Sequence, residues 1–320
     1  MEQIKARIEE RVGWIELANP PHNFMTTRMV RELDTLTEEW AERRDIRAIV
    51  ITGAVPGIFI THFSIEELSA SAEAAPPIEG ALGSALETLV GAILMGHRAL
   101  DRLPALRKRM DQVLGATPLA GLSELNRIHR VFLRLQLMDK PVIAAINGDC
   151  MGGGCELALA CDWRLMARGP YSMGLIEVLG GIIPGAGGTQ RLARLLGPSK
   201  ALEMMLDGTV LDADAAEHVG LVGRAVDADK LLDEAGALAR RLAHRPRHSV
   251  AAVKRAVRLG ADRPIEKAIE LEKLAFVETG VSADAKAIGQ FYLERFKAGA
   301  RAAEIFREIR EGGGPKLEDE

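Results

Sequence analysis

Residues 140–167 read "KPVIAAINGDCMGGGCELALACDWRLMA", and the order of elements in that stretch decides the class of fold. "KPVIAAING" is short, β-branched and stopped by a glycine, the pattern of a buried strand. "GGGCELALACDW" predicts a helix and "RLMA" another strand. Strand, helix and strand in so short a span require a crossover connection, which argues for an α/β architecture. Within the helix, Glu156 stands among leucines and alanines, a costly place for a carboxylate unless it is paired, protonated or used. The glycines ahead of it bare the backbone where the helix begins. Unpaired N–H groups and a partial positive charge at that point suit an oxygen carrying negative charge. A phosphate loop fits less well than an oxyanion hole. Leu157 occupies the third glycine position of GxGxxG, and no lysine follows as in GxxxxGK[ST].

The alternation extends outward in both directions. Upstream, "GWIELAN" predicts a strand and Asn19-Pro20-Pro21 a turn. "TTRMVRELDTLTEEWAER" carries Met29, Leu33, Leu36 and Trp40 at helical spacing, and "IRAIVITG" is another buried strand. Downstream, "MGLIEVLGGIIPGAGGTQR" places a second carboxylate, Glu177, between Ile176 and Val178. Two acids in apolar settings can hold different protonation states, one serving as base and one as acid.

Residues 69 to about 122 break the alternation. "SAEAAPPIEG" reads as a small-residue linker, followed by the amphipathic helix "ALGSALETLVGAILMGHRALDRL", Pro104 and the basic helix "ALRKRMDQVL". Too short to bury its own core, the segment is read as a helical insertion, with its "RKR" on a solvated face. The resulting division is a core over 1–245 interrupted by that insertion, a helical region over 246–312, and a disordered tail over 313–320.

With a formal net charge of −4 and 4% aromatics, the chain lacks the basic, stacking surface a nucleic-acid binder needs. Its apolar runs fall short of a membrane span, and its first residues have no apolar signal region, so a cytoplasmic location is expected. Cys150, Cys155 and Cys161 fit no metal-ligand spacing and are read as small buried thiols in a reducing compartment, with no metal.

Taken together, "PVIAAINGDCMGGGCELALACD", "IPGAGGTQRL", "NPPHNFMTTRMVREL", "AIVITG" and "ALEMMLDGTVLDADAAEHVGLVGRAV" resemble the enoyl-CoA hydratase/isomerase, or crotonase, superfamily over residues 10–68 and 123–300. The resemblance implies a crotonase-like spiral of ββα units with a helical C-terminal region that assembles as a homotrimer or a dimer of trimers. It implies an acyl-CoA thioester as substrate, within fatty acid metabolism, and no separate cofactor. The thioester oxygen would be held by the backbone N–H groups of Phe63 and Gly153. Glu156 and Glu177 would position water for syn addition across the 2,3 double bond. Phe24, Thr61, His62, Ser64, Ile65 and Gly152 would line the acyl-CoA site.

Some positions depart from the family pattern. His62, Phe63 and Ser64 replace glycine, a small residue and aspartate, with backbone strain expected at His62; Ser64 and Glu67 still spell a capping box. Glu66 stands where some members carry lysine. Ile176 replaces a proline, and one extra residue precedes Glu177, which is expected to shift that carboxylate slightly. The insertion is expected to shape the acyl pocket toward a bulky or long chain. The leading expectation is a 2-enoyl-CoA hydratase. The alternatives are an enoyl-CoA isomerase or thioester hydrolase of the same fold, or a non-catalytic acyl-CoA-binding protein.

Overall fold

A computed structural model describes residues 1–74, 88, 91–92, 103–115, 117 and 120–317. Two sheets organise the core. The larger runs β1 (Ile4–Glu9), β2 (Val12–Leu17), β3 (Ala48–Gly53), β5 (Val142–Ile146), β7 (Trp163–Ala167) and β10 (Arg224–Val226), parallel throughout except for the β1–β2 hairpin. The smaller runs β4 (Gly57–Ile60), β6 (Gly148–Met151), β8 (Met173–Gly174) and β9 (Val210–Leu211). The chain visits the sheets in turn: β3 then β4, β5 then β6, β7 then β8. This repeat is the expected ββα spiral.

The strand sequences follow from that placement. "AIVI" and "VIAAI" are apolar at every position because β3 and β5 are covered on both faces. On one face lies the main core, which takes in Met29, Leu33, Leu36 and Trp40 of the helix Thr27–Glu42, all buried as their spacing predicts. On the other face, Leu231, Ala235, Ala239 and Ala243 of the helix Leu231–Ala243 recur every four residues and pack over Trp14, Val50 and Ile143.

Element boundaries of the insertion differ from the reading of the sequence. Residues 71–74, the start of the expected linker, continue the helix Ile65–Ala74, and the helix Ala120–Leu137 runs through the assumed end at 122. The amphipathic helix expected over 81–103 lies almost wholly outside the described residues, and so does the pocket-shaping role assigned to it. The basic helix is present as Pro104–Gly115, but its face is not simply solvated: Arg107 is buried and pairs with Glu38 at 3.3 Å.

Beyond the core, the helices Arg247–Gly260, Ile265–Gly280, Ala283–Lys297 and Ala302–Arg310 form the expected C-terminal helical region. The tail read as disordered from 313 has a packed start. The Gly313 N–H donates to Glu308 O at 2.9 Å and Leu317 is buried, while 318–320 lie outside the described residues. The three cysteines are free and buried, and burial pushes their thiols up, that of Cys161 to about 12. Among the described residues no helix is long and apolar enough to cross a membrane.

Candidate active site

The small sheet assembles the site. β4, β6 and β8 are adjacent and parallel, with Ile60 beside Cys150 and Met151 beside Gly174. Parallel neighbours end on the same side, so the residues just past each strand are brought together. Those residues are Phe63 after β4, Gly153 after β6 and Glu177 after β8. Three positions spread over 115 residues of sequence meet here because of topology.

The helix Gly153–Ala160 starts directly from β6. Gly152 is its N-cap, with φ +51°, ψ −122°, a conformation that L side chains rarely adopt. Gly154 lies against β4: a Cβ there would come within 2.7 Å of the Ile60 carbonyl oxygen and Cβ. These two glycines let the helix begin at the strand end and sit close to its neighbour. A Cβ at Gly153 would lie 3.8 Å from the Phe63 nitrogen, so the two amides expected to form an oxyanion hole are neighbours. Among the described residues neither amide donates to a protein acceptor.

Two hydrogen bonds of Met25 set the course of the chain at Phe63. Its N–H donates to His62 O at 2.9 Å and its carbonyl accepts from Ser64 N–H at 2.8 Å, forming the parallel bridge Met25–Phe63. In a trans peptide the C=O and N–H point in opposite directions. Holding the His62 carbonyl on Met25 therefore turns the Phe63 N–H the other way, toward Gly153. Met25 was not among the residues singled out from sequence, because its role is entirely in its backbone.

Glu156 is 3% exposed, and its Oε1 accepts from the N–H groups of Ala186 and Gly188, each at 2.7 Å. Gly188 begins the helix Gly188–Leu196, so the carboxylate sits at a helix N-terminus that favours its charge. Burial pushes its pKa up; the two amides and the Arg191 guanidinium restrain the rise. Arg191 in turn donates to Ala186 O at 2.7 Å and to Gln136 Oε1 at 2.8 Å, bracing the loop that carries those amides. Sequence reading quoted "IPGAGGTQR" without assigning it this role. Its glycines ahead of a helix start were the available signal.

Glu177 opens the short 3-10 turn Glu177–Gly180. Its Oε1 would be 3.3 Å from a Cβ at Gly152, and its Oε2 is buried with no hydrogen-bond partner among the described residues. Burial, and then the neighbouring Glu156 carboxylate, push it up to about 7. Glu177 thus reaches the site despite Ile176 and the extra residue before it. Two carboxylates, one anchored by amides and one near half-protonation at neutral pH, lie beside two unused backbone donors.

His62 lines the same place, its Cβ 3.5 Å from the Cβ position of Gly152, and its ring packs on Phe24 at 4.8 Å between centroids. The strain expected at His62 is absent: among the described non-glycine residues only Glu10, Arg11 and Asn23 have positive φ. Thr61 Oγ1 donates to His22 O, a contact that ties its segment to the loop of Phe24. Ile65 is 62% exposed, on the outer side of the helix start. The capping box forms only in half. Ser64 Oγ accepts from Glu67 N–H at 3.3 Å, but the Glu67 carboxylate reaches instead to the N–H and hydroxyl of Thr27 at 2.7 and 2.6 Å. The Ser64 N–H is already committed to Met25, which leaves the carboxylate nothing to return to.

Comparison with known proteins shows the family to which the chain belongs. A sequence model of the enoyl-CoA hydratase/isomerase family matches residues 123–300, which include Gly153, Glu156 and Glu177 but not Phe63. The chain is 40% identical over 169 residues to a crotonyl-CoA hydratase of Syntrophomonas wolfei, covering 53% of this chain and 65% of that protein, just under two thirds of its length. It is 31% identical to a probable enoyl-CoA hydratase of Mycobacterium leprae, over 86% of this chain and 88% of that one. Among solved structures, an enoyl-CoA hydratase from Bacillus anthracis superposes with a TM-score of 0.71 at 26% identity, covering 93% of this chain and 96% of that chain.

Proposed function

This chain belongs to the enoyl-CoA hydratase/isomerase family, and on that premise we propose that it hydrates a 2-enoyl-CoA thioester. The observation that carries the reading is the pair of amides at Phe63 and Gly153 beside Glu177, the amides and the buried Glu177 Oε2 alike having no hydrogen-bond partner among the described residues. The thioester oxygen accepts from both amides, which stabilise the enolate formed when water adds to C3. Donors fixed in advance act strongly in a site that excludes water. Glu156, anchored as a carboxylate by Ala186 and Gly188, takes the proton from the attacking water. Glu177, whose protonated form burial and Glu156 favour, delivers a proton to C2, and as the product departs the proton gained by Glu156 returns through solvent to Glu177, which restores both groups. Because the two acids form one cluster, both additions reach the same face, which makes the addition syn.

Retention of both acids favours hydration over isomerisation, which needs only one. The names of the relatives, crotonyl-CoA and short-chain-enoyl-CoA hydratase, support a short chain as the first substrate to try. The same reading includes a homotrimer or dimer of trimers, a cytoplasmic location, and acyl-CoA contacts from Phe24, Thr61, His62, Ser64, Ile65 and Gly152.

The test is loss of the conjugated enoyl-thioester absorbance when purified protein is added to crotonyl-CoA. Activity is expected in the wild type and is expected to fall about a hundredfold or more in Glu156→Gln and in Glu177→Gln, as for removal of a general acid or base. Tight binding of acyl-CoA with no turnover would replace the hydratase with a binding protein.

A further inference from the structure

We propose that His62 is a positioning residue for the oxyanion hole: its imidazole fixes the Phe63 segment so that the Phe63 N–H faces the thioester oxygen. The inference rests on the proposed acyl-CoA site and assigns a role to a side chain at a position where glycine would offer none.

The geometry is direct. His62 Nδ1 lies 2.7 Å from the Phe63 carbonyl oxygen. A carbonyl can only accept, so Nδ1 carries the proton and donates. The ring is also held from the side by Phe24, which packs in turn on His22 at 5.3 Å between centroids. The Phe24 loop is itself rigidly placed. Asn23 is fully buried and donates to Phe59 O at 2.6 Å, and Asn19 donates to Phe24 O at 2.9 Å.

Both peptide planes around the Phe63 Cα are therefore tied. The plane before it is held by Met25 N–H on the His62 carbonyl. The plane after it is held twice, by Ser64 N–H on Met25 and by the His62 ring on the Phe63 carbonyl. Without the imidazole, that second plane keeps one tether and the Phe63 carbonyl loses its donor. The Phe63 N–H lies in the first plane, so a loosened second plane acts on it by shifting the Phe63 Cα that joins the two, and misplacement of a catalytic group by about 1 Å can lower a rate a hundredfold.

Three variants separate the roles. An asparagine amide can present its N–H near the place of Nδ1, a glutamine places it one bond further out, and a phenylalanine keeps the ring but has no donor. Two readouts are taken on each folded variant: steady-state hydration of crotonyl-CoA, and the carbonyl stretch of bound butyryl-CoA, a saturated thioester that cannot be hydrated. The stretch drops in frequency when the carbonyl is polarised by the two amides, whether or not the protein turns over.

For His62→Phe and His62→Gln, kcat is expected to fall about tenfold with KM within about twofold, and part of the frequency drop to be lost, as befits an interaction that tightens in the transition state. His62→Asn is expected to retain most of both, with a pH profile shaped like that of the wild type. Full activity and a full frequency drop in His62→Phe and His62→Gln would overturn the proposal and leave His62 as pocket wall. A loss in His62→Asn as deep as in His62→Phe, with a limb of the pH profile gone, would overturn it in favour of acid–base work. No frequency drop in the wild type would overturn it too. A normal drop without hydration would remove the hydratase reading and leave the positioning role standing.

Discussion

Glu156 and Glu177 share apolar surroundings but are held differently, and the difference divides the labour between them. Two amides and a helix N-terminus face Glu156, whereas Glu177 Oε2 has no partner among the described residues. A carboxyl pushed up to about 7 is protonated below that pH and charged above it. If Glu177 is the acid, kcat/KM is expected to decline as pH rises through about 7, since that ratio reports groups of the free enzyme. The residual rate of Glu177→Gln should lack this limb. Stability follows with its own sign. The folded-state value lies above the unfolded one of about 4.5, so the native state loses stability as pH rises between the two and carries the full penalty above about 7. Glu177→Gln is therefore expected to melt a few °C higher than the wild type at pH 8, from roughly 1 kcal/mol recovered. The gain should vanish below about pH 4.5, and a variant less stable at pH 8 would contradict this account.

Between elements, the device that docks the segment after the insertion is a buried carboxylate. Asp34, on the helix Thr27–Glu42, accepts from Arg127 at 3.2 Å, Arg130 at 2.9 Å and Arg134 at 2.9 Å, all on the helix Ala120–Leu137. Desolvation acts to raise its pKa, but the arginines outweigh it and the net shift is downward. Removing one partner of such a cluster leaves buried charge uncompensated, a loss of about 3–5 kcal/mol. Asp34→Ala is expected to lower the unfolding midpoint by that order and to open Ala120–Leu137 to protease, with far smaller effects from the exposed pair Arg194–Asp262. The contribution of Asp34 is present above its unfolded value of 3.8 and is lost as pH falls through its lower folded value. The same scale explains the catalytic geometry, because the ends of β4, β6 and β8 converge only when the three strands pair in parallel.

At the scale of the whole molecule, the C-terminal helices leave a large apolar surface uncovered. Val253, Val257, Leu274, Val277 and Val281 are each more than half exposed, and Phe276 is 75% exposed. The assembly included in the proposed function would cover apolar side chains of this kind. Sedimentation of the wild type is expected to give a trimer or hexamer, and Phe276→Asp with Val277→Asp to shift it toward monomer. A wild-type monomer at micromolar concentration would remove the assembly from the proposed function.

The α/β alternation, the helix after the glycines, and the candidacy of Glu156 and Glu177 were legible in the sequence, because strand and helix periodicity and a misplaced carboxylate are local signals; the spiral itself was implied only by the family resemblance. The limits of the insertion were not, since helix ends depend on what the helix packs against: residues 71–74 hold their helix despite small side chains, and Arg107 turns inward to Glu38. Nor could the sequence tell how Glu156 is restrained, where the Glu67 carboxylate goes, or which group the His62 ring meets. Those answers lie in backbone groups of Ala186, Gly188, Thr27 and Phe63. Every residue carries the same C=O and every residue but proline the same N–H, so its identity says nothing of where they point. Only the tertiary structure, by pairing strands far apart in the chain, decides that.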